Sequence, residues 1–450
     1  MRLKEAIRLS DTTCLALSGS GGKTTALFQL ARSLSDGLGS SQHGTVGRPV
    51  IITASTHLHI DQVKLADSHW IGTDPADLAD LEKNLHGVML VTGPVDGDRT
   101  SGLSEPALAR LRAVGQLHAL PMLIEADGSR QHPLKAPAKH EPPIPDFVET
   151  VMVVVGLSGL GRPLTEEFVH RAEIFAQLSG LAIGETITLE ALVRVLTHPA
   201  GGLKNIPPQA RRLVLLNQAD SAELQAQAKS LAEKLLTAYQ SVVIASLGRS
   251  QIHAVYQPVA GIILAAGEAK RFGRMKQLLD YHGDPFVRAV AKTALASGLS
   301  PVVAVTGANA QIVEIALQGL PITIARNADW QSGQSSSIQA GLRALTGQSG
   351  AAIFLLADQP QVTPTVIHAL TEEYARTLAP ILAPLVAGQR ANPVLFDRQT
   401  FPDLMALSGD VGGRAIFSKY QIAYLPWQAE GLLVDVDTPE DLQRLREQEA

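Results

Sequence analysis

The sequence predicts an α/β protein of two domains, each built on a parallel sheet covered by helices. Three observations predict it. Short β-branched runs alternate with longer helical patterns through both halves, as strands and crossover helices do in parallel sheets. Both halves open with an apolar strand, a glycine-containing turn and a helix. The chain of 450 residues also exceeds what one hydrophobic core ordinarily organises.

In the first half the predicted strands are residues 12–17, 50–53, 87–92, 122–125, 150–155, 212–217 and 241–246. A helix is expected over 24–34, where Leu27, Leu30, Ala31 and Leu34 recur three and four apart and make one apolar stripe. Residues 35–48, rich in Gly and Ser, read as a mobile surface loop. Residues 247–260 lack a firm period and carry Pro258 near their end, which predicts a connector. Strands of the second series are expected at 261–265, 301–306, 321–325, 351–356 and 380–386. The domains are therefore expected at 1–247 and 258–450.

Apolar residues make up 45% and charged residues 18%, which suits a globular chain and not a disordered one. A net charge of -5 gives no basic field to draw in a nucleic acid, so any phosphate must be met locally. Cys14 is the only cysteine, which excludes an internal disulfide and a thiolate metal cluster; its apolar flanks predict a buried strand position. No run approaches the ~20 apolar residues of a membrane span, and the N-terminus lacks an apolar h-region. A cytoplasmic protein without membrane or nucleic-acid partners is expected.

Residues 261–279, GIILAAGEAKRFGRMKQLL, carry the sharpest chemical signal. A buried strand runs into Leu264-Ala265-Ala266-Gly267, where backbone N–H groups can approach a triphosphate, and Arg271 and Lys276 follow to balance its charge. Asp358, in the run Leu355-Leu356-Ala357-Asp358-Gln359-Pro360, places a carboxylate just past an apolar strand, at the sheet edge where open α/β folds bind ligands. Asp435 and Asp437 alternate along an expected late strand. Asp358 with Asp437 would suit a partly hydrated Mg2+; a helix cap or a turn is the alternative for each aspartate taken alone.

This half resembles the molybdenum-cofactor cytidylyltransferases within the MobA-like nucleotidyltransferases. The resemblance rests on LAAGEAKRFGRMKQLL, on NADWQSGQSSS from Asn327 to Ser337, on LLADQP, on NPVLF from Asn392, on SGDVGGR from Ser408 to Arg414, and on VDVDTPEDL. It implies a Rossmann-like nucleotidyltransferase domain that uses Mg2+ and transfers CMP from CTP to the terminal phosphate of a molybdenum-bearing molybdopterin. It assigns nucleotide contacts to Asn327, Ser335, Ser336 and Ser337, although the serines alone would equally make a polar helix start. Asn392, Asp410, Gly412, Gly413 and Arg414 fall to the acceptor side. In that family Ala265-Ala266-Gly267 accompanies cytidine, and the methyl of Ala266 would narrow the space for a purine.

In the first half, Gly19-Ser20-Gly21-Gly22-Lys23-Thr24-Thr25 follows a strand and opens a helix, the context that makes a P-loop credible. Gly21 and Gly22 would admit the phosphates, Lys23 would reach them, and the Thr24 hydroxyl would join a Mg2+. Leu17 stands where the full P-loop pattern has its first glycine. Asp127 is the expected second metal ligand, with Glu125 or Asp127 placing a water. Asn217-Gln218-Ala219-Asp220 is similar to the N-K-x-D element that reads guanine, but Gln218 replaces its lysine, which speaks against guanine.

With Lys135, Lys139, His140 and the Val155-Gly156-Leu157 run, residues 5–245 resemble the YqeC family, associated with selenium-dependent molybdenum hydroxylases. Thr53-Ala54-Ser55-Thr56-His57 departs from that family's lysine-containing segment. The resemblance implies a P-loop NTPase-like domain that takes ATP or GTP and serves molybdenum hydroxylase apoenzymes. Two alternatives stay open: a cytidylyltransferase for a sugar or polyol phosphate, and a first domain that is a non-catalytic cofactor chaperone.

Overall fold

The computed structural model describes residues 1–36, 47–268, 275–345, 347, 349–434 and 441. The chain divides into two compact units, Met1–Tyr256 and Gln257–Ala450. In the first, the apolar run at Cys14 forms β1 (Cys14–Gly19), buried on both faces as an internal parallel strand must be. Its companions are β2 (Val50–Ala54), β3 (Ser68–Ile71), β4 (Val88–Thr92), β5 (Met122–Glu125), β6 (Thr150–Gly156), β7 (Arg211–Asn217), β8 (Ser241–Ser246) and β9 (Gln251–Tyr256).

The nine strands run in the order β9-β8-β7-β6-β1-β5-β2-β4-β3, all parallel except β9. Helix α1 (Lys23–Ser35) buries Leu27, Leu30, Ala31 and Leu34, the expected stripe, against this sheet. At roughly 1.5–3 kcal/mol for each fully buried aliphatic side chain, that stripe fixes where the helix starts. The turns after β1, β5, β6 and β7 consequently share one edge of the sheet, the edge on which parallel α/β sheets bind ligands. Cys14 is fully buried, and burial pushes its thiol up to about 12.

The second unit holds β10 (Val259–Ala265), β11 (Val302–Thr306), β12 (Thr323–Arg326), β13 (Ala351–Leu356), β14 (Ile381–Val386), β15 (Gln389–Arg390), β16 (Val394–Asp397) and β17 (Ile422–Trp427). Their order is β12-β11-β10-β13-β16-β14-β15, with β17 parallel to β14. Successive residues of β10 point to opposite faces. Ile263 therefore joins Val287, Val290, Val366 and Ile367 on one side, and Ile262 joins Ile338 and Leu342 on the other.

Two expectations need correction. Residues 247–260 are not a plain connector: β9 pairs antiparallel with β8, and β10 begins at Val259. An edge strand needs backbone pairing more than a clean apolar period, so QIHAVY carried little signal. The second sheet is not uniformly parallel, because β16 runs antiparallel to both β13 and β14. The chain before the late strand expected to carry Asp435 and Asp437 makes a short 3-10 turn over Glu430–Leu433 and is described as far as Val434. Asp435 and Asp437 lie outside the described residues, as do Arg271, Gly273 and most of the loop expected at 35–48. Among the described residues no helix is long and apolar enough to cross a membrane.

Candidate functional site

In the second unit, β10 ends in the Leu264–Gly267 turn, which its neighbours hold in place. Leu264 O accepts from Ala357 N at 3.2 Å and Ala266 O from Ala308 N at 3.0 Å. Gly267 O accepts from the buried Gln277 amide at 2.8 Å. The turn opens onto a cleft of about 920 Å3. Leu264, Ala266, Gly267, Lys276, Ser337, Asp358 and Asp410 all line this cleft, so residues spread over nearly 150 positions of sequence meet at one place. Ala265 is 1% exposed and belongs to the core beneath.

Gly267 is exposed, and among the described residues no atom would lie within 4 Å of a methyl placed on it. The space beside it is cleft. Ala266 is 3% exposed, and a methyl on Gly307 would sit 2.8 Å from the Ala266 methyl. The side chain of Ala266 is thus packed against Gly307 at the wall of the cleft it lines.

The helix Gln334–Arg343 starts at Gly333, whose φ of 110° and close approach to the Gly409–Asp410 backbone leave no room for a side chain: a methyl would sit 2.5 Å from Asp410 Cα. Ser335 Oγ donates to Gly409 O at 2.7 Å and Gln334 N to Asp410 Oδ1 at 3.2 Å. Asn327 Nδ2 donates to the hydroxyls of Ser336 and Ser337 at 2.8 and 3.1 Å. Asn327, Ser335 and Ser336 therefore fasten the helix start and the 408–410 turn, and Ser337 is the serine of the three that lines the cleft.

Beside this cleft lies a second hollow of about 280 Å3, sharing Leu264, Gln334 and Leu356 with it. It gathers Asn392, Gly412, Gly413 and Arg414, the expected acceptor residues, around the rings of Phe354, Phe396 and Phe417. Sequence reasoning missed Arg390, whose guanidinium lies 4.7 Å from the Phe417 ring centroid, and Trp330, Gln277 and Gln334 in the cleft. The aromatics are scattered singly through the chain, so no motif flagged them. Among the described residues no group of three or more His, Cys, Asp or Glu could hold a metal. Mg2+ normally takes one or two carboxylates and completes its shell with waters and substrate phosphates. Asp358, half-buried at the end of β13 in the same cleft as Gly267 and Lys276, fits that demand.

In the first unit the Gly19–Gly22 loop follows β1, with positive φ at Gly19, Gly21 and Gly22. Lys23 is 4% exposed; its Nζ donates to Gly19 O at 2.6 Å and lies 3.2 Å from Asp127 Oδ1, off the hydrogen-bonding direction of that oxygen. Asp127 Oδ2 accepts from Gly19 N at 3.1 Å and pairs with Lys135 Nζ at 2.8 Å. Lys135 in turn meets Glu141 at 2.9 Å, and Arg171 holds the same carboxylate through both nitrogens at 2.7 and 2.8 Å. Burial works to raise the Glu141 carboxyl, but the Arg171 and Lys135 hydrogen bonds prevail and bring it to about 2.

Lys135 belongs to this buried chain of charges, while Lys139 and His140 are exposed. One expectation changes here. The carboxylate beside Thr24 is Glu125, not Asp127: Thr24 Oγ1 donates to Glu125 Oε2 at 3.3 Å and accepts from Gln62 Nε2 at 2.5 Å. Desolvation pushes the Glu125 carboxyl upward. Thr25 lies next to Thr24 in a separate hollow alongside α1.

Comparison with known proteins covers both units. The family model for the YqeC protein matches residues 15–173, and that for the MobA-like NTP transferase domain matches residues 261–423. The uncharacterized protein YqeC of Escherichia coli K12 is 35% identical over 216 residues, 47% of this chain and 78% of that protein. Nicotine blue oxidoreductase of Paenarthrobacter nicotinovorans is 34% identical over 197 residues, 42% of this chain and 96% of its own. The purine catabolism protein PucB of Bacillus subtilis 168 is 30% identical over 197 residues, 41% of this chain and 95% of its own.

Proposed function

Because the chain belongs to the YqeC family through its first unit and to the MobA-like NTP transferases through its second, and is therefore a nucleotidyltransferase, we propose that the second unit transfers CMP from CTP to the terminal phosphate of a molybdenum-bearing molybdopterin. The observation that carries this reading is the pair of joined hollows at the strand ends. One is wide and polar, with the Gly267 turn, Lys276 and Asp358. The other is narrow and ringed by aromatics, with Arg390 and Arg414 to meet an anionic acceptor.

An acceptor phosphate oxygen attacks the α-phosphorus of CTP, the bond to the bridging oxygen of the β-phosphate breaks, and pyrophosphate leaves. Such an in-line displacement needs alignment and charge compensation more than a covalent intermediate. Mg2+ on Asp358, with Asp437 as the expected second ligand, would supply neutralisation of the phosphate oxygens when bound. Lys276 offsets charge on the departing pyrophosphate, together with Arg271 in the role the family resemblance gives it. Asn392, Asp410 and the Gly412–Arg414 turn hold the acceptor, and Ser335 and Asn327 keep the helix start that separates the two hollows in register.

The first unit serves as a nucleotide-binding accessory that uses ATP or GTP on its glycine loop, with Lys23 on the phosphates and Thr24 and Glu125 on the metal side. Fusion of the units raises the effective concentration for handing on a cofactor destined for molybdenum hydroxylase apoenzymes in the cytoplasm. The deciding assay incubates the protein with each of the four ribonucleoside triphosphates, Mg2+ and molybdenum-loaded molybdopterin, and reads pyrophosphate release. Release with CTP and this acceptor is expected. Release only with a sugar or polyol phosphate replaces the acceptor, and release only with GTP replaces the donor.

A further inference from the structure

The last residue of β7 joins two loops. Asn217 is 4% exposed and spends both ends of its amide on backbone: Nδ2 donates to Gly21 O at 2.7 Å, and Oδ1 accepts from Leu247 N at 2.9 Å. The glycine loop is thereby tied to the Leu247–Arg249 turn that follows β8. The contact is close enough that a methyl on Gly22 would lie 2.2 Å from Asn217 Nδ2.

Three residues on, Asp220 presents a carboxylate whose side chain is 47% exposed, at the same end of the sheet. Its charged neighbour is Arg249 of that turn, with Nε at 3.9 Å and Nη1 donating to Asp220 O at 3.2 Å. An exposed pair at that separation contributes little and yields readily to a ligand. A hollow of about 630 Å3 starts at Thr24 and Thr25 and runs past Phe28 and Gln29 to Leu247 and Ser250. That volume lies in the range of small-ligand sites.

Phosphates seated on the glycine loop would direct the nucleoside past Thr24 and Thr25 toward this turn, whose Leu247 and Ser250 line the hollow and whose Arg249 meets Asp220. An ionised carboxylate has two acceptor oxygens and no donor. Guanine alone among the common bases offers two adjacent donors, N1–H and the 2-amino group. Adenine sets an acceptor at N1 beside its single amino group, and the pyrimidines pair each donor with an acceptor. We propose that the first unit is specific for a guanine nucleotide, with Asp220 reading N1–H and the 2-amino group and Asn217 as the positioning residue that holds the phosphate loop and the base-side turn together.

The proposal rests on the reading that the first unit binds a nucleoside triphosphate. Gln218, which spoke against guanine in the sequence, has its own place. Its φ of 63° turns the chain, and its Oε1 accepts from Ser158 Oγ at 2.6 Å. It also lies on Gly156, the residue packed behind Gly21. Loop support, not base discrimination, is what this position supplies.

The test is isothermal titration of the full chain with GTP, ATP and XTP in Mg2+, with CTP present to saturate the second unit. Lys23→Ala, checked for folding by circular dichroism, identifies the component that belongs to the first unit. The Lys23-dependent component should favour GTP over ATP at least about tenfold, and Asp220→Asn should weaken GTP about 10–100-fold through loss of charge-assisted hydrogen bonds. The same variant should bind XTP more tightly than the wild type does, because xanthine offers N1–H and O2 to the two ends of an amide. A misfolded variant gains affinity for nothing. Lys23-dependent binding that favours ATP, or unchanged GTP affinity in Asp220→Asn, overturns the guanine assignment alone. Absence of any Lys23-dependent nucleotide binding overturns the underlying reading with it.

Discussion

Replacing Gly267 by alanine should damage nucleotide binding while leaving the fold intact. Its backbone is not in the left-handed region, and a methyl there would meet none of the described residues within 4 Å. Such a substitution is neutral to folding, or stabilises it by about 0.4–1 kcal/mol through the unfolded chain. The same methyl stands in the cleft shared with Lys276 and Asp358, where the proposed function has a phosphate approach the main chain. Loss of one hydrogen bond from backbone N–H to a charged phosphate costs about 1.5–3 kcal/mol, or roughly 10–100-fold. The expected result is a KM for CTP raised by about that factor with an unchanged melting temperature, read by pyrophosphate release and calorimetry. Kinetics within twofold of wild type would mean that the donor does not approach this turn.

Gly333→Ala should behave in the opposite way. A methyl 2.5 Å from Asp410 Cα forces the 408–410 turn to move by about 1 Å, and misplacement on that scale costs about 10²-fold in rate. The loss should fall on the acceptor's kcat/KM more than on CTP binding, and equal loss for both substrates would argue against this turn belonging to the acceptor side. Asp358→Asn keeps the shape of the cleft and removes the charge, so Mg2+-dependent turnover should drop by about 10²-fold or more while circular dichroism is unchanged. Near-normal turnover would take Asp358 out of the metal site. Glu141→Gln removes the carboxylate that Lys135 and Arg171 share, and should cost the first unit about 3 kcal/mol at pH 7. Because the folded carboxyl sits at about 2 instead of 4.5, its contribution is complete above about pH 4.5 and is lost as pH falls toward 2. Hydrogen exchange of the β6 amides measures this, and a penalty independent of pH would refute it.

What the sequence determined by itself is local. The apolar runs that became β1, β5, β6, β7 and β8 were legible because strands buried on both faces admit few polar residues. The stripe of α1 was legible for the same reason at helical spacing. The turns at Gly19–Gly22 and Leu264–Gly267 stood out because phosphate-handling loops need small residues next to cations. Edge strands such as β9 and β12 escaped or blurred, since backbone pairing with one neighbour leaves little trace in side-chain pattern.

The tertiary structure decided which polar groups face one another. Asp127 and Glu125 are two residues apart on one chain, and sequence offers no way to tell that Asp127 is taken by two lysines while Glu125 meets Thr24. Ser335, Ser336 and Ser337 look alike in sequence, yet the helix start turns Ser335 onto the 408–410 turn and Ser336 and Ser337 onto Asn327, and of the three only Ser337 also lines the cleft. Phe354, Phe396 and Phe417 become one aromatic wall only because β16 inserts antiparallel beside β13. A strand or helix is encoded by the burial of neighbouring residues, but a site is encoded by contacts between residues a hundred positions apart, and those exist only once the sheet has closed.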